Sequence, residues 1–220
     1  MRHAQPEWVR DGLNVVDPPL TELGDRQAEH LARALEHEAF DEILVSPLGR
    51  ARQTAAPLLA ATGRDEEIDG WLEEIRDPKW HGTPAERAAE AYAELRGRPA
   101  VGRWEGLPGG ESTRDFVDRM RLGAQHFLAE RGVRRAEHEL PVWEVEEPGA
   151  RILLIAHAGT NSVTMCHLLG LAPTPWEWDR FVLGHASVSR VEALPLGDGF
   201  TFSLTKLSDV EHLPLADRTR

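Results

Sequence analysis

One cysteine, Cys166, stands among the 220 residues, so no intrachain disulfide can form and thiol usage gives no reason to expect an oxidising compartment. Its surroundings, VTMCHLLGL, are apolar, which suits a buried, inert thiol. No run approaches the roughly 20 apolar residues that span a bilayer. The N-terminus also lacks the apolar stretch of a signal peptide. The expectation is a cytoplasmic protein. Positive charge is scarce too: 25 Lys and Arg against 37 Asp and Glu leave a formal net charge of −12. Such a chain has no general basic face for nucleic acid and is repelled by anionic membranes, so neither is an expected partner. It can bind an anion only where arginine is concentrated locally. Internal repeats, low-complexity tracts and the HExxH spacing of zinc hydrolases are absent as well, and no metal site is expected.

What is present is an alternation of helical and strand patterns. After a polar loop, RDGLNVVDPP, the stretch LTELGDRQAEHLARALEHEAF carries Leu23, Gln27, Leu31 and Leu35 at spacing four. It predicts an amphipathic helix capped by Thr21. DEILVS reads as a buried parallel strand. PLGRARQTAAPLLAAT reads as a helix with Ser46 as N-cap and Pro47 in the first helical position, ending near Gly63. Residues 64–110 read as irregular apart from a helix over PAERAAEAYAELRG. STRDFVDRMRLGAQHFLAERG predicts a further amphipathic helix, with Ser112 or Thr113 as cap. RRAEHELPVWEVEEPG reads as an acidic loop and RILLIA as a strand, with Thr160 capping a helix that ends at Gly170. ASVSRVEAL and FTFSLTKL alternate as strands around the turn GDG. Together these predict an α/β fold: a three-layer α/β/α sandwich whose mostly parallel central sheet has an antiparallel edge. No domain boundary is visible, so a single domain over 1–220 is expected, with an irregular insertion around 76–110.

Arg50 falls in the first turn after DEILVS, and His157 directly after RILLIA. Ligands of open α/β sheets bind at the carboxyl ends of strands, where helix N-termini also favour anions. Two strand ends thus deliver an arginine and a histidine to one sheet edge. Arg2 and His3 join them if they too end a strand. Such a cluster suits a phosphate dianion, since the planar guanidinium matches its oxygens.

The ordered set RHAQPEW, DPPLTELG, SPLGRARQTA, LEEI, PGGES and IAHAGT resembles the histidine phosphatase superfamily, the phosphoglycerate mutase-like family, from residue 2 to about residue 190. The resemblance implies a phosphoglycerate mutase-like fold with His3 as the nucleophile that takes the phosphoryl group. It implies Arg2, Arg50 and His157 as the phosphate-binding residues and Glu74 as proton donor, with Glu73 as the neighbouring alternative. Gln5 and His81 are candidate substrate contacts. His185 precedes a strand near the expected pocket, and packing accounts for it equally well. Lys79, Trp80, Arg98, Arg103 and Trp104 lie in the segment that covers the site in the resembling fold, and Trp176 and Trp178 read as core anchors. No cofactor is implied. The implied partner is a small phosphorylated substrate, and the oligomeric state, a homodimer included, stays open. Alanine replaces the usual glycine at Ala4 and Ala158, a small departure. Mutases of this kind carry an asparagine where this chain has Val9, and basic residues near LEEI that lack counterparts here. The implied activity is therefore metal-independent hydrolysis of a small phosphate monoester through a phosphohistidine, ahead of mutase-type transfer or a non-catalytic phosphate-binding role. In the resembling fold a central strand runs into Arg-His, whereas only Met1 precedes it here. The expectation is a natural chain that starts several residues upstream with an apolar strand.

Overall fold

The apolar runs EILV and ILLI lie side by side in parallel, as continuous hydrophobic strands covered on both faces must. The computed structural model describes residues 1–137 and 139–220. A small hairpin of β1 (Val9–Arg10) and β2 (Leu13–Asn14) precedes α1 (Glu22–Leu35), β3 (Glu42–Val45), α2 (Gly49–Thr62) and β4 (Glu67–Ile68). Then come α3 (Ala85–Gly97), α4 (Thr113–Ala129), β5 (Val133–Arg135), β6 (Trp143–Val145) and β7 (Ile152–Ile155). The chain continues through α5 (Ala158–Leu168), the one-turn α6 (Glu177–Arg180) and the hairpin β8 (Val188–Leu196) and β9 (Gly199–Asp209).

The parallel sheet runs β4-β3-β7 and an antiparallel sheet runs β5-β6-β9-β8. The period of two along a strand sorts its side chains between two layers. Ile43 and Val45 of β3 pack with Leu31 and Leu35 of α1 and Leu58 of α2. Leu44, between them, faces Phe127 of α4 on the opposite side. The α/β/α layering follows. Residues 1–3 join the two sheets. Arg2 bridges Ala156 in parallel, just past β7. The His3 amide donates to Ala156 O at 2.9 Å, the Arg2 amide to Ser187 O at 3.1 Å, and the Ala186 amide to His3 O at 3.1 Å. Arg2 and His3 therefore lie beside Ala156, just past the end of β7, held by an isolated bridge rather than by a strand of their own.

Several expected details change. Residues 134–149, read as a loop, contain most of β5 and all of β6, residue 138 lying outside the described residues. Trp143 pairs with Arg135 and with Phe200 of β9, and its buried indole donates to Leu168 O at 3.1 Å. The polar loop at 10–19 contains the end of β1 and all of β2, which pair as a hairpin. Ser46 does not cap α2, which begins at Gly49. The Asp17 carboxylate, from a distant loop, accepts the Gly49 amide at 2.9 and 3.1 Å and fills that role. Thr160 lies inside α5, which starts at Ala158 after His157. Thr21 and Ser112 do cap their helices, accepting the amides of Gly24 and Asp115, each at 3.0 Å. Gly63 and Gly170, with φ of 64° and 69°, take the left-handed conformation at which their helices stop. Among the described residues no helix is long and apolar enough to cross a membrane.

α1 presses directly on the loop that follows His3. The Thr21 amide donates to Gln5 O at 3.0 Å, and a Cβ on Gly24 would overlap that same carbonyl. Gly24→Ala must therefore push helix and loop apart. The expected result is a loss of about 1–3 kcal/mol in chemical unfolding, the usual cost of overpacking. An unchanged unfolding midpoint would show that the loop yields freely.

Candidate active site

His3 is almost fully buried, and its partners fix its tautomer. Nδ1 lies 2.7 Å from Ala4 O, and a carbonyl can only accept, so Nδ1 carries the proton. The Arg50 Nε–H donates to Nε2 at 3.3 Å, so Nε2 holds a lone pair. Desolvation first, then the charges of Arg50 and Arg2, hold the pKa of His3 well below the ordinary histidine value. The imidazole is neutral at physiological pH and presents a nucleophilic nitrogen.

The two arginines are held from behind. Arg2 Nη1 donates to Leu183 O at 2.6 Å and Nη2 to His185 Nε2 at 3.0 Å. Because His185 accepts there, its Nδ1 carries the proton and donates to Thr219 Oγ1 at 2.9 Å. Burial, and secondarily Arg2, lower the His185 pKa to about 3. Desolvation lowers that of Arg2 to about 10, which leaves it charged at neutral pH. Arg50 meets Asp17 Oδ1 at 3.4 Å and lies 4.9 Å from the centre of the Trp8 ring. Asp17 itself sits at φ 49°, an unusual conformation that aspartate tolerates, and it both caps α2 and faces Arg50.

His157 is fully buried with its ring centre 5.1 Å from that of His3. Its Nε2 is 2.7 Å from Ser46 Oγ, which also accepts the Leu48 amide at 3.4 Å, one residue short of α2. Its Nδ1 and the Nε of Arg2 are buried polar atoms without a partner among the described residues. Such orphaned groups beside two guanidinium ions are suited to an anion. His157 sits behind His3 rather than on the cavity wall.

Glu74 faces the same cavity, of about 490 Å³, as Arg2, His3 and Arg50. Its Oε2 accepts the Gly159 amide at 2.8 Å and its Oε1 the Ile75 amide at 2.9 Å. Any side chain at Gly159 would collide with this carboxylate, so the glycine of IAHAGT is required by close approach. Desolvation raises the pKa of Glu74, against those two amides and both arginines. Glu73 instead binds Arg76 at 2.6 Å.

The sequence model of the histidine phosphatase superfamily (branch 1) matches residues 1–202. The chain belongs to that superfamily. Among its curated relatives is the "Probable phosphoglycerate mutase GpmB" of Yersinia enterocolitica, 29% identical over 195 residues, which are 87% of this chain and 82% of that one. The Escherichia coli protein of the same name is 27% identical over 97% of this chain and 93% of its own. A solved mycobacterial glucosyl-3-phosphoglycerate phosphatase superposes with TM-score 0.68 at 26% identity, covering 95% and 96% of the two chains.

This superfamily member does not bring every candidate to the cavity. Gln5 turns away, its Oε1 accepting from Thr21 Oγ1 at 2.8 Å because the loop is clamped to α1. His81 is exposed and accepts the Val16 amide at 3.3 Å, outside the cavity wall. Trp80 and Trp178 do line the wall. Trp176 and Arg103 line an adjoining cavity of about 300 Å³. Cys166 donates to Glu177 Oε2 at 2.7 Å, and burial pushes its thiol up to about 12, as expected of an inert group. The residues that motif reading overlooked are supports. Arg119 donates to the carbonyls of Glu73 and Glu74 at 2.8 and 2.9 Å while paired with both oxygens of Glu111, the glutamate of PGGES. That pair pins the segment carrying Glu74.

The buried neutral histidines link stability to pH. His3, His157 and His185 all have folded pKa values below 6.5. Their stabilisation is complete above that value and is lost as pH falls, because only the unfolded chain takes up the protons. Each contributes about 1.4 kcal/mol per pH unit once well below 6.5. Unfolding free energy is expected to drop steeply from pH 7 to pH 5, and less steeply for His185→Gln. Parallel slopes for the two proteins would contradict the assignment.

Proposed function

We propose that the protein is a phosphatase that hydrolyses a small phosphate monoester through a phosphohistidine on His3 and calls on no metal. The observation that carries this reading is the orientation of His3: proton on Nδ1, lone pair on Nε2, and Arg50 against that lone pair. In the first step the Arg50 Nε–H leaves Nε2 for a phosphoryl oxygen, the freed lone pair attacks phosphorus and the ester P–O bond breaks. Arg2 and Arg50 stabilise the charge on the phosphoryl oxygens in transit, and Nδ1–H donating to Ala4 O supports the positive charge that develops on the ring. Glu74, its pKa raised, gives its proton to the leaving oxygen. In the second step the Glu74 carboxylate takes a proton from water. That water attacks phosphorus, the P–N bond breaks, and phosphate leaves with His3 neutral again. His157 supports the site from beside His3, its ring centre 5.1 Å away, its Nε2 paired with Ser46 Oγ and its Nδ1 without a partner among the described residues.

Hydrolysis of p-nitrophenyl phosphate in EDTA is expected for the intact protein and is lost in His3→Ala. Equal turnover by both would overturn the reading. Glu74→Gln is expected to slow hydrolysis of an alkyl phosphate by about 10²–10⁴. p-Nitrophenyl phosphate, whose leaving group needs little protonation, is slowed far less. The same pattern in Glu73→Gln instead would move the proton donor to the neighbouring residue.

A further inference from the structure

We propose that the substrate's alcohol portion is an aromatic or apolar body with no second anionic group near the ester. The proposal rests on the phosphatase reading and narrows its substrate class.

Besides Arg2, His3 and Arg50, four aromatic residues line the 490 Å³ cavity: Trp8, which lies against Arg50, and Trp80, Tyr92 and Trp178. Three of these rings are braced. Trp178 stacks on Phe116 of α4, centres 5.5 Å apart and planes at 21°. Trp80 meets Tyr92 edge to face at 5.8 Å, and the Tyr92 hydroxyl donates to Asp77 Oδ1 at 2.5 Å. Braced aromatic walls receive an apolar face without the entropy cost of ordering loose side chains.

The charges on the same wall are unfavourable to a second anion. Arg2 and Arg50 belong to the phosphoryl centre. Among the described residues the one further cation lining this cavity is Arg76, whose Nε and Nη2 both go to Glu73 Oε2. Three carboxylates, Asp17, Glu73 and Asp77, line it too, beside the Glu74 acid. A carboxylate or second phosphate on a carbon near the ester would lose its hydration and meet like charge, and the one further guanidinium beside it is already paired with Glu73. A phenyl group meets rings. The wall is thus selective by repulsion as well as by contact.

The test compares kcat/KM for 2-phenylethyl phosphate, glycerol 1-phosphate and 3-phosphoglycerate, alkyl esters with similar leaving groups. The phenylethyl ester is expected to exceed glycerol 1-phosphate by about tenfold or more, the gain from burying a phenyl face. 3-Phosphoglycerate is expected to be the poorest. Trp80→Ala is expected to shrink the phenylethyl-to-glycerol ratio. 3-Phosphoglycerate turned over as well as the phenylethyl ester, or a ratio near one, would overturn the proposal. No hydrolysis of any ester would defeat the phosphatase reading instead. Calorimetric binding of the same three to the intact protein would then decide this inference by their order of affinity.

Discussion

A neutral imidazole buried against a guanidinium ion is the contact on which this site turns. Alone, His3 would be protonated by any nearby acid. Here burial denies it that option, and Arg50, paired with Asp17 through Nη1, turns its Nε–H to the imidazole. Burial makes the imidazolium costly, and Arg50 and Arg2 make it costlier. The Ala4 carbonyl then decides which nitrogen keeps the remaining proton. Around this contact the protein assembles supports that are individually ordinary: Asp17 against Arg50, His185 and Leu183 against Arg2, Ser46 against His157. Removing any one leaves a buried charge or polar atom without its partner, which costs more than the bond itself contributes.

The other half of the chemistry is separated from this half by chain length but shares its cavity. Glu74 comes from the segment after β4, fixed by Arg119 and Glu111 on one side and by the start of α5 on the other. α5 thus serves both halves, since His157 precedes its first residue and Gly159 holds the carboxylate. Two titratable groups are pushed apart in opposite directions, the histidine down and the carboxylic acid up. That divergence suits a nucleophile working beside a proton donor.

The sequence made some of this legible and hid the rest for identifiable reasons. β3 and β7 could be read because apolar runs covered on both faces advertise themselves, and Thr21, Ser112, Gly63 and Gly170 because caps are local signals. Arg2, His3, Arg50, His157 and Glu74 could be read because the motifs around them occur in one order. What stayed hidden depends on contacts between distant residues. Ser46 has the right chemistry for a cap, and nothing nearby reveals that His157, 111 residues later, occupies its hydroxyl. Asp17 reaches Gly49 across 32 residues and His185 reaches Arg2 across 183. The acidic stretch around Trp143 looked like a loop because its strand partner includes Phe200. Gln5 pointed away because Gly24 lets α1 seize its carbonyl, a packing fact with no side-chain signature.

The most direct test of the account is the titration of His3 itself, followed by ¹⁵N chemical shifts of labelled imidazole nitrogens and assigned with the His3→Ala variant. A neutral ring with its proton on Nδ1 is expected to persist as pH is lowered well past the ordinary histidine value of 6.5. A ring that gains its second proton near 6.5, or one with the proton on Nε2, would contradict it. Either result would remove the ground for proposing His3 as the nucleophile.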